Sequence, residues 1–343
     1  MVQRYNKMSE YANYMTRCLQ LARMGEYYVA PNPMVGALLF DAEGKIIAEG
    51  WHEQFGGPHA EVNCFAHAEQ RGYRDFREMT LVVSLEPCNH YGKTPPCTEL
   101  ILRHRPRRVV VGSLDPNPLV AGQGVARLRE AGIEVVTDVL RDECRELNKR
   151  FFMLHEHHRP YVILKWAQTA DGFLDRVRQS KDEPVLRIST AVTKRIVHKM
   201  RAENMAIMVG TRTALLDNPA LLNTHWAGRN PIRVVLDRKH VLPPDARIFS
   251  GDAETIVYSD NTEWDFVLRD LAERGIHSLL VEGGATLLET ILRSGVYDEV
   301  HVEVAPEMTI GEGVPAPRIA LRGMPQQIDG RLLYEWREEQ GEA

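Results

Sequence analysis

The sequence predicts two α/β domains in tandem, and three observations carry that expectation. Short β-rich runs alternate with segments of helical periodicity along most of the chain. The alternation pauses at the histidine-rich stretch "MLHEHHRP", between two patterned regions. At 343 residues the chain also exceeds what one hydrophobic core normally serves, which suggests units of about 150 residues.

Taken in order, "MVGALLFD", "TLVVSLE" and "RRVVVGSLD" read as strands, with "AEVNCFAHAEQRG" and "CTELILRH" as the helices between them. "GQGVARLREAGIEVVTDVL" adds a helix and a strand and closes the first domain, residues 1–155, as a layered α/β sheet. The cluster His155, His157 and His158 stands beside a proline and lacks the thiol or carboxylate spacing of a metal site, so it reads as a linker. The second domain, residues 159–343, resumes with "YVILKWA", "NMAIMVG", "PIRVVLD", "ETIVYS", "HSLLVEGG" and "DEVHVEVAP" as strands. Its tail, "GRLLYEWREEQGEA", begins amphipathic and finishes polar.

Composition excludes several classes. Apolar runs such as "RRVVVG" are far too short to span a bilayer, and the N-terminus lacks a secretory pattern, so a cytoplasmic protein with no membrane partner is expected. A net charge of −5 with interspersed signs provides no broad basic face, which argues against nucleic acid as the partner; "RHRPRR" reads as a solvated helix end. The five cysteines are an odd number, and in a reducing compartment they point to a metal or to catalysis, not to disulfides.

Two of them stand in "EPCNHYGKTPPC", and "GGPHAEVNCF" upstream supplies a histidine. His59, Cys88 and Cys97 suit zinc, with the fourth tetrahedral position left for water. Thr94 is expected to cap a helix with Pro95 in its first turn, which would place Cys97 at the positive end of the helix dipole. Glu61, two residues after His59, then serves as proton carrier. Zinc deaminases carry H-x-E followed by P-C-x-x-C, whereas here eight residues separate the cysteines.

With "PNPMVG" and "DPNPLVAGQG", those motifs resemble the RibD family of riboflavin-biosynthesis deaminase–reductases, in which the long cysteine loop is typical. "LKWAQTADG", "MVGTRTALLDNPALL" and "VEGGATLL" resemble the family's reductase, so the resemblance spans nearly the whole chain. It implies a cytidine-deaminase-like three-layer α/β/α domain followed by a dihydrofolate-reductase-like α/β domain. The first would hydrolyse the ring amino group of 2,5-diamino-6-ribosylamino-4(3H)-pyrimidinone 5′-phosphate, and the second would reduce ribosyl to ribityl with NADPH. By matched position, Asn32, His52, His90 and Lys93 would hold the deaminase substrate. Lys165, Arg201, Leu221 and Glu282 would face the reductase substrate. Gln168, Arg187, Thr213, Asp217 and the run Gly283, Gly284, Ala285, Thr286, Leu287 and Leu288 would line the cofactor site. The expected assembly is a homodimer or higher homo-oligomer.

The glycine run agrees with the residues themselves: there is no G-x-G-x-x-G, but a strand followed by Gly-Gly and a helix start leaves backbone N–H groups open to a pyrophosphate. Departures fall in the second half. "VLRIS" puts Val185 and Arg187 where the family often has serine and tryptophan, and Thr224 stands where an arginine is expected. Two other readings compete. One is a zinc deaminase of another nucleotide or of a nucleic-acid base with a non-catalytic second domain; the other is a zinc-stabilised structural protein, for which His90 would be the fourth ligand.

Overall fold

The computed structural model describes residues 2–91, 95–117 and 121–338, with side chains from residue 10 onward. The chain divides into two compact units, Met1–His157 and His158–Ala343.

Residues for which the sequence pattern gives no element form α1 (Val2–Arg23), followed by β1 (Gly36–Phe40), β2 (Ile46–Trp51), α2 (Ala60–Gln70), β3 (Thr80–Leu85), α3 (Cys97–His104), β4 (Arg108–Ser113), α4 (Gln123–Glu130), β5 (Glu134–Val136), α5 (Arg141–Leu147) and α6 (Lys149–His157). The strands form one sheet in the order β2-β1-β3-β4-β5. β1 runs antiparallel to β2 and β3, while β3, β4 and β5 are parallel. The period-2 alternation of the strands sorts their side chains into two cores. Leu39, Leu81, Val83, Val109 and Val111 meet α2, α3 and α4 on one face. Leu38, Val82 and Val110 meet Tyr11, Met15 and Cys18 of α1 and Cys144 of α5 on the other. The result is a three-layer α/β/α sandwich.

This topology gathers one edge of the sheet. Because β1 is antiparallel, the segment entering it lies beside the segments leaving β2, β3 and β4. Gly50 lets α2 lie close on β2, since a Cβ there would sit 2.4 Å from the Cys64 amide nitrogen.

The second unit contains β6 (Tyr161–Thr169), β7 (Phe173–Asp175), α7 (Ala191–Glu203), β8 (Ala206–Gly210), α8 (Thr211–Asp217), β9 (Ile232–Leu236), β10 (Thr255–Tyr258), α9 (Trp264–Glu273), β11 (Ser278–Val281), α10 (Ala285–Ser294), β12 (Glu299–Ala305), β13 (Val314–Pro315), β14 (Gln326–Ile328) and β15 (Arg331–Arg337). Its main sheet runs β10-β9-β8-β11-β6-β12-β15-β14, parallel from β10 to β12 and antiparallel thereafter; β7 and β13 pair separately. Strands buried on both faces read as continuous apolar runs, which is why "YVILKWA" and "SLLV" are recognisable.

The histidine cluster does stand at the junction of the two units, but as structured residues: His155 and His157 lie in the last turn of α6, with the His155 ring 4.4 Å from Phe151, and His158 opens the second unit with φ 52°. The amphipathic tail is a strand, β15, because its alternating residues pair with β12. α3 begins at Cys97 with Pro96 as its N-cap and no capping side chain. Thr94, expected as that cap, lies outside the described residues, as does Lys93.

Candidate functional site

The edge of the first sheet collects the predicted metal ligands. His59 is the N-cap of α2, Cys88 follows β3 through Glu86-Pro87, and Cys97 is the first residue of α3. His59 Nδ1 lies 3.5 Å from Cys88 Sγ and 3.3 Å from Cys97 Sγ, and all three ligand atoms fall within 4.8 Å of one another. Bonds of about 2.0–2.3 Å to a tetrahedral zinc imply ligand separations of about 3.6 Å, so the donor set fits zinc in both chemistry and spacing.

The protonation pattern has the same cause. Hydrogen bonding with Cys97 and with His59 holds the Cys88 thiol well below the ordinary thiol range, while the Cys88 partnership and burial push Cys97 up. His59 is raised to about 9, chiefly by its hydrogen bond with Cys88. The three groups share protons that a cation must displace. Glu61 lies in the first turn of α2, 3% exposed, and burial, reinforced by the charge of Cys88, pushes its carboxyl up to about 7.

Beside the ligands runs a chain of hydrogen bonds. His52 Nδ1 lies 2.9 Å from the Pro58 carbonyl oxygen and His52 Nε2 lies 3.0 Å from Asn32 Nδ2. Since the carbonyl only accepts, Nδ1 carries the proton and Nε2 accepts from the amide, which fixes both the tautomer and the amide orientation. Burial lowers the His52 pKa and keeps the ring neutral. His90 is exposed on the cysteine loop.

Two positioning residues escape the sequence reading. Glu86 Oε2 accepts the amides of Asp115 and Gly122 at 3.1 and 2.8 Å, and its Oε1 accepts the Val125 amide at 3.1 Å, which ties the segment before Cys88 to the start of α4. Asn148 pins the segment carrying Asn32, accepting from Met34 N at 2.8 Å and donating to Met34 O at 2.9 Å. Glu86 adjoins "PC" and could have been suspected; Asn148 stands 114 residues from Met34, without a local signal.

In the second unit Arg201 grips Glu282 through two hydrogen bonds of 2.8 and 2.7 Å and donates a third, at 3.0 Å, to the Leu222 carbonyl. Burial alone would raise the Glu282 carboxyl, but Arg201 outweighs it and the net shift is downward; Lys165 adds to the same effect. His198, one turn before Arg201, was missed, although the spacing "HKMR" puts both on one helix face. It is pushed down to about 4 by burial and then by Arg201, and its Nδ1 accepts the Thr224 amide at 3.0 Å, which anchors the loop carrying Leu221.

Toward the cofactor candidates, Gly283 has φ 121° and open space where a side chain would stand, while a Cβ on Gly284 would lie 2.8 Å from Thr213 Oγ1. Gly284 caps α10 without a side-chain hydrogen bond, so the first amides of Ala285, Thr286 and Leu287 form a cradle of the kind a pyrophosphate requires. These residues fit a dinucleotide. Leu288, further along α10, is fully buried. Gln168 on β6 accepts from Trp166 Nε1 at 2.8 Å. Asp217, at the end of α8, is bound by Arg178, a contact the sequence does not announce. Arg187 and Val185 are exposed on the connection before α7.

The chain matches two family models: the cytidine and deoxycytidylate deaminase zinc-binding region over residues 8–113 and the RibD C-terminal domain over residues 160–326. The riboflavin biosynthesis protein RibD of Aquifex aeolicus is 37% identical over 341 residues, covering 93% of each chain. That of Escherichia coli K12 is 33% identical over 330 residues, covering 86% of this chain and 87% of its own. A diaminohydroxyphosphoribosylaminopyrimidine deaminase/5-amino-6-(5-phosphoribosylamino)uracil reductase from Thermotoga maritima superposes with TM-score 0.85 at 37% identity, over 96% of this chain and 99% of that one.

Proposed function

This chain belongs to the RibD family of bifunctional riboflavin-biosynthesis enzymes, and from that premise we propose how its residues divide the family's two reactions. The enzyme deaminates 2,5-diamino-6-ribosylamino-4(3H)-pyrimidinone 5′-phosphate with zinc and then reduces the ribosyl group to ribityl with NADPH. Residues 1–155 carry the first step and residues 159–343 the second. The observation that carries the assignment of the first step is the triangle of His59, Cys88 and Cys97 with buried Glu61 two residues along α2.

Zinc held by those three residues supplies the Lewis acidity that makes a water nucleophilic near neutral pH. Glu61 is placed to relay the two protons of the attacking water, one to the ring nitrogen and one to the amino nitrogen, which leaves as ammonia as the ring carbon becomes a carbonyl. Its burial in the first turn of α2, two residues from His59, places the carboxyl for that relay. The Asn32 amide, oriented through His52, is free to present its oxygen to a donor on the pyrimidine, and His90 would meet the ribose phosphate, a role the family resemblance also gives Lys93.

NADPH supplies the hydride of the second step. The amides after Gly284, with Thr213 against them, would hold its pyrophosphate, and Gln168, Arg187 and Asp217 would contribute the further cofactor contacts that the family resemblance implies. Glu282, charged and fixed by Arg201, faces the sugar hydroxyls, beside Leu221. Arg201 is paired with Glu282, and Lys165, whose charge Glu282 also feels, would be the second cation offered to the substrate. Thr224 is exposed, and its side chain brings no charge to the loop that His198 anchors. Thr224→Arg is therefore expected to lower the substrate KM by roughly tenfold with little change in kcat, the signature of binding expressed equally in ground and transition states. Steady-state kinetics of both proteins checks it, and an unchanged KM means that the charge is supplied elsewhere.

The small-molecule partner in this reading is the pyrimidine nucleotide, the location is the cytoplasm and the assembly is a homodimer or higher homo-oligomer. Among the described residues no helix is long and apolar enough to cross a membrane, and all five cysteines are free thiols. The test of the whole reading is a coupled assay in which the deaminase substrate is supplied with NADPH while ammonia and cofactor oxidation are followed separately. Ammonia release must precede NADPH oxidation and proceed without NADPH. Ammonia release with no NADPH oxidation would instead support a deaminase with a non-catalytic second domain.

A further inference from the structure

We propose that Arg127 is a positioning residue that fixes the spacing of the two cysteine ligands and so sets how long zinc is retained, an inference that rests on the metal site proposed above. Arg127 lies on α4, 39 residues beyond Cys88 and 30 beyond Cys97. One of its guanidinium nitrogens donates to Asn89 Oδ1 at 2.9 Å and to Thr98 Oγ1 at 3.4 Å. The Thr98 hydroxyl donates to the same Asn89 oxygen at 2.8 Å. Asn89 directly follows Cys88 and Thr98 directly follows Cys97, so a single side chain ties together the residues next to both ligands.

The backbone repeats the link. Thr98 N donates to the Cys88 carbonyl at 3.2 Å and Cys97 N to Cys88 Sγ at 3.3 Å. The second guanidinium nitrogen lies 3.4 Å from Glu99 Oε1, which also accepts from the Tyr91 hydroxyl at 2.7 Å, so the segments on both sides of the cysteine loop are held.

The plain alternative is a surface ion pair. Arg127 and Glu99 are 37% and 29% exposed, and such a pair is worth only about 0–1 kcal/mol. What distinguishes Arg127 is its reach to Thr98, which has no exposed surface, and to the amide beside Cys88. Two thiolates on one cation repel each other, so a fixed separation needs a restraint from outside the metal. Partners that orient metal ligands typically change metal affinity by about 10- to 100-fold.

The experiment loads the full chain with zinc and measures release to excess chelator, alongside the melting temperature and reductase turnover on deaminated substrate. Arg127→Ala is expected to release zinc about 10- to 100-fold faster with reductase turnover unchanged. Asn89→Ala should act through the same oxygen, so the double variant should be no faster than the quicker single one. Release within twofold of wild type in a folded Arg127→Ala protein, or additive effects in the double variant, overturns the proposal. Should Arg127→Ala not fold, Arg127→Lys keeps the charge but loses the fork: faster release supports the clamp, and unchanged release sinks it. If wild-type protein binds no zinc at all, the metal assignment fails first and is recognised separately.

Discussion

Replacing Cys97 by serine is expected to empty the metal site and lower deamination by at least about 10³-fold, because the Lewis acid contributes several kcal/mol and each 1.4 kcal/mol is a factor of ten. Cys97 is 1% exposed and its thiol closes the triangle with His59 and Cys88, so the serine oxygen, shorter and harder, cannot substitute. Reductase turnover should persist, since the second unit has its own core around Val162, Leu164, Met208 and Val281. Zinc content, ammonia release and NADPH oxidation measured on one preparation decide the matter. Full deamination by zinc-free Cys97→Ser protein would falsify the ligand assignment.

The Glu61→Gln enzyme should keep its zinc and lose at least about 10² in turnover, the contribution of general acid–base catalysis. Glutamine preserves size and hydrogen bonding but neither takes nor returns the proton. The contrast with Cys97→Ser separates two roles that lie two residues apart in the case of His59 and Glu61. Stoichiometric loss of zinc from Glu61→Gln would make Glu61 a ligand and void its role as proton carrier.

How much of this was legible depended on whether information is local. His59, Glu61, Cys88 and Cys97 could be singled out because their chemistry is rare in a chain with few cysteines and because each adjoins a helix start or a strand end. The parallel core strands were equally visible from their unbroken apolar runs. The register of α3 was not, since Thr94-Pro95 offers a stronger helix-start signal than Pro96, where the structure places the cap. β15 looked like an amphipathic tail because its identity as a strand comes from β12, almost thirty residues upstream. Glu86, Asn148, Arg178 and His198 serve the sites through contacts with distant backbone or oppositely charged side chains. No periodicity encodes such contacts. Resemblance, and not the residue pattern, supplied Asn32 and His52; the hydrogen-bonded chain from Asn32 to Pro58 adds a physical reason for the pair.

The central position of β6 has a consequence for how the protein is made. β6 is flanked by β11 and β12, so the first strand of the second unit to leave the ribosome has both partners more than a hundred residues downstream. At about 5–20 residues per second, that apolar strand waits roughly 10 s with both edges unpaired. The first unit, whose five strands are complete by Val136, has meanwhile had all it needs to form. Synthesis therefore yields a deaminase half early and a reductase half only near the end of translation. A nascent chain stalled near residue 270 should resist protease up to about His157 and be cut beyond it, because Tyr161–Thr169 still lacks both neighbours.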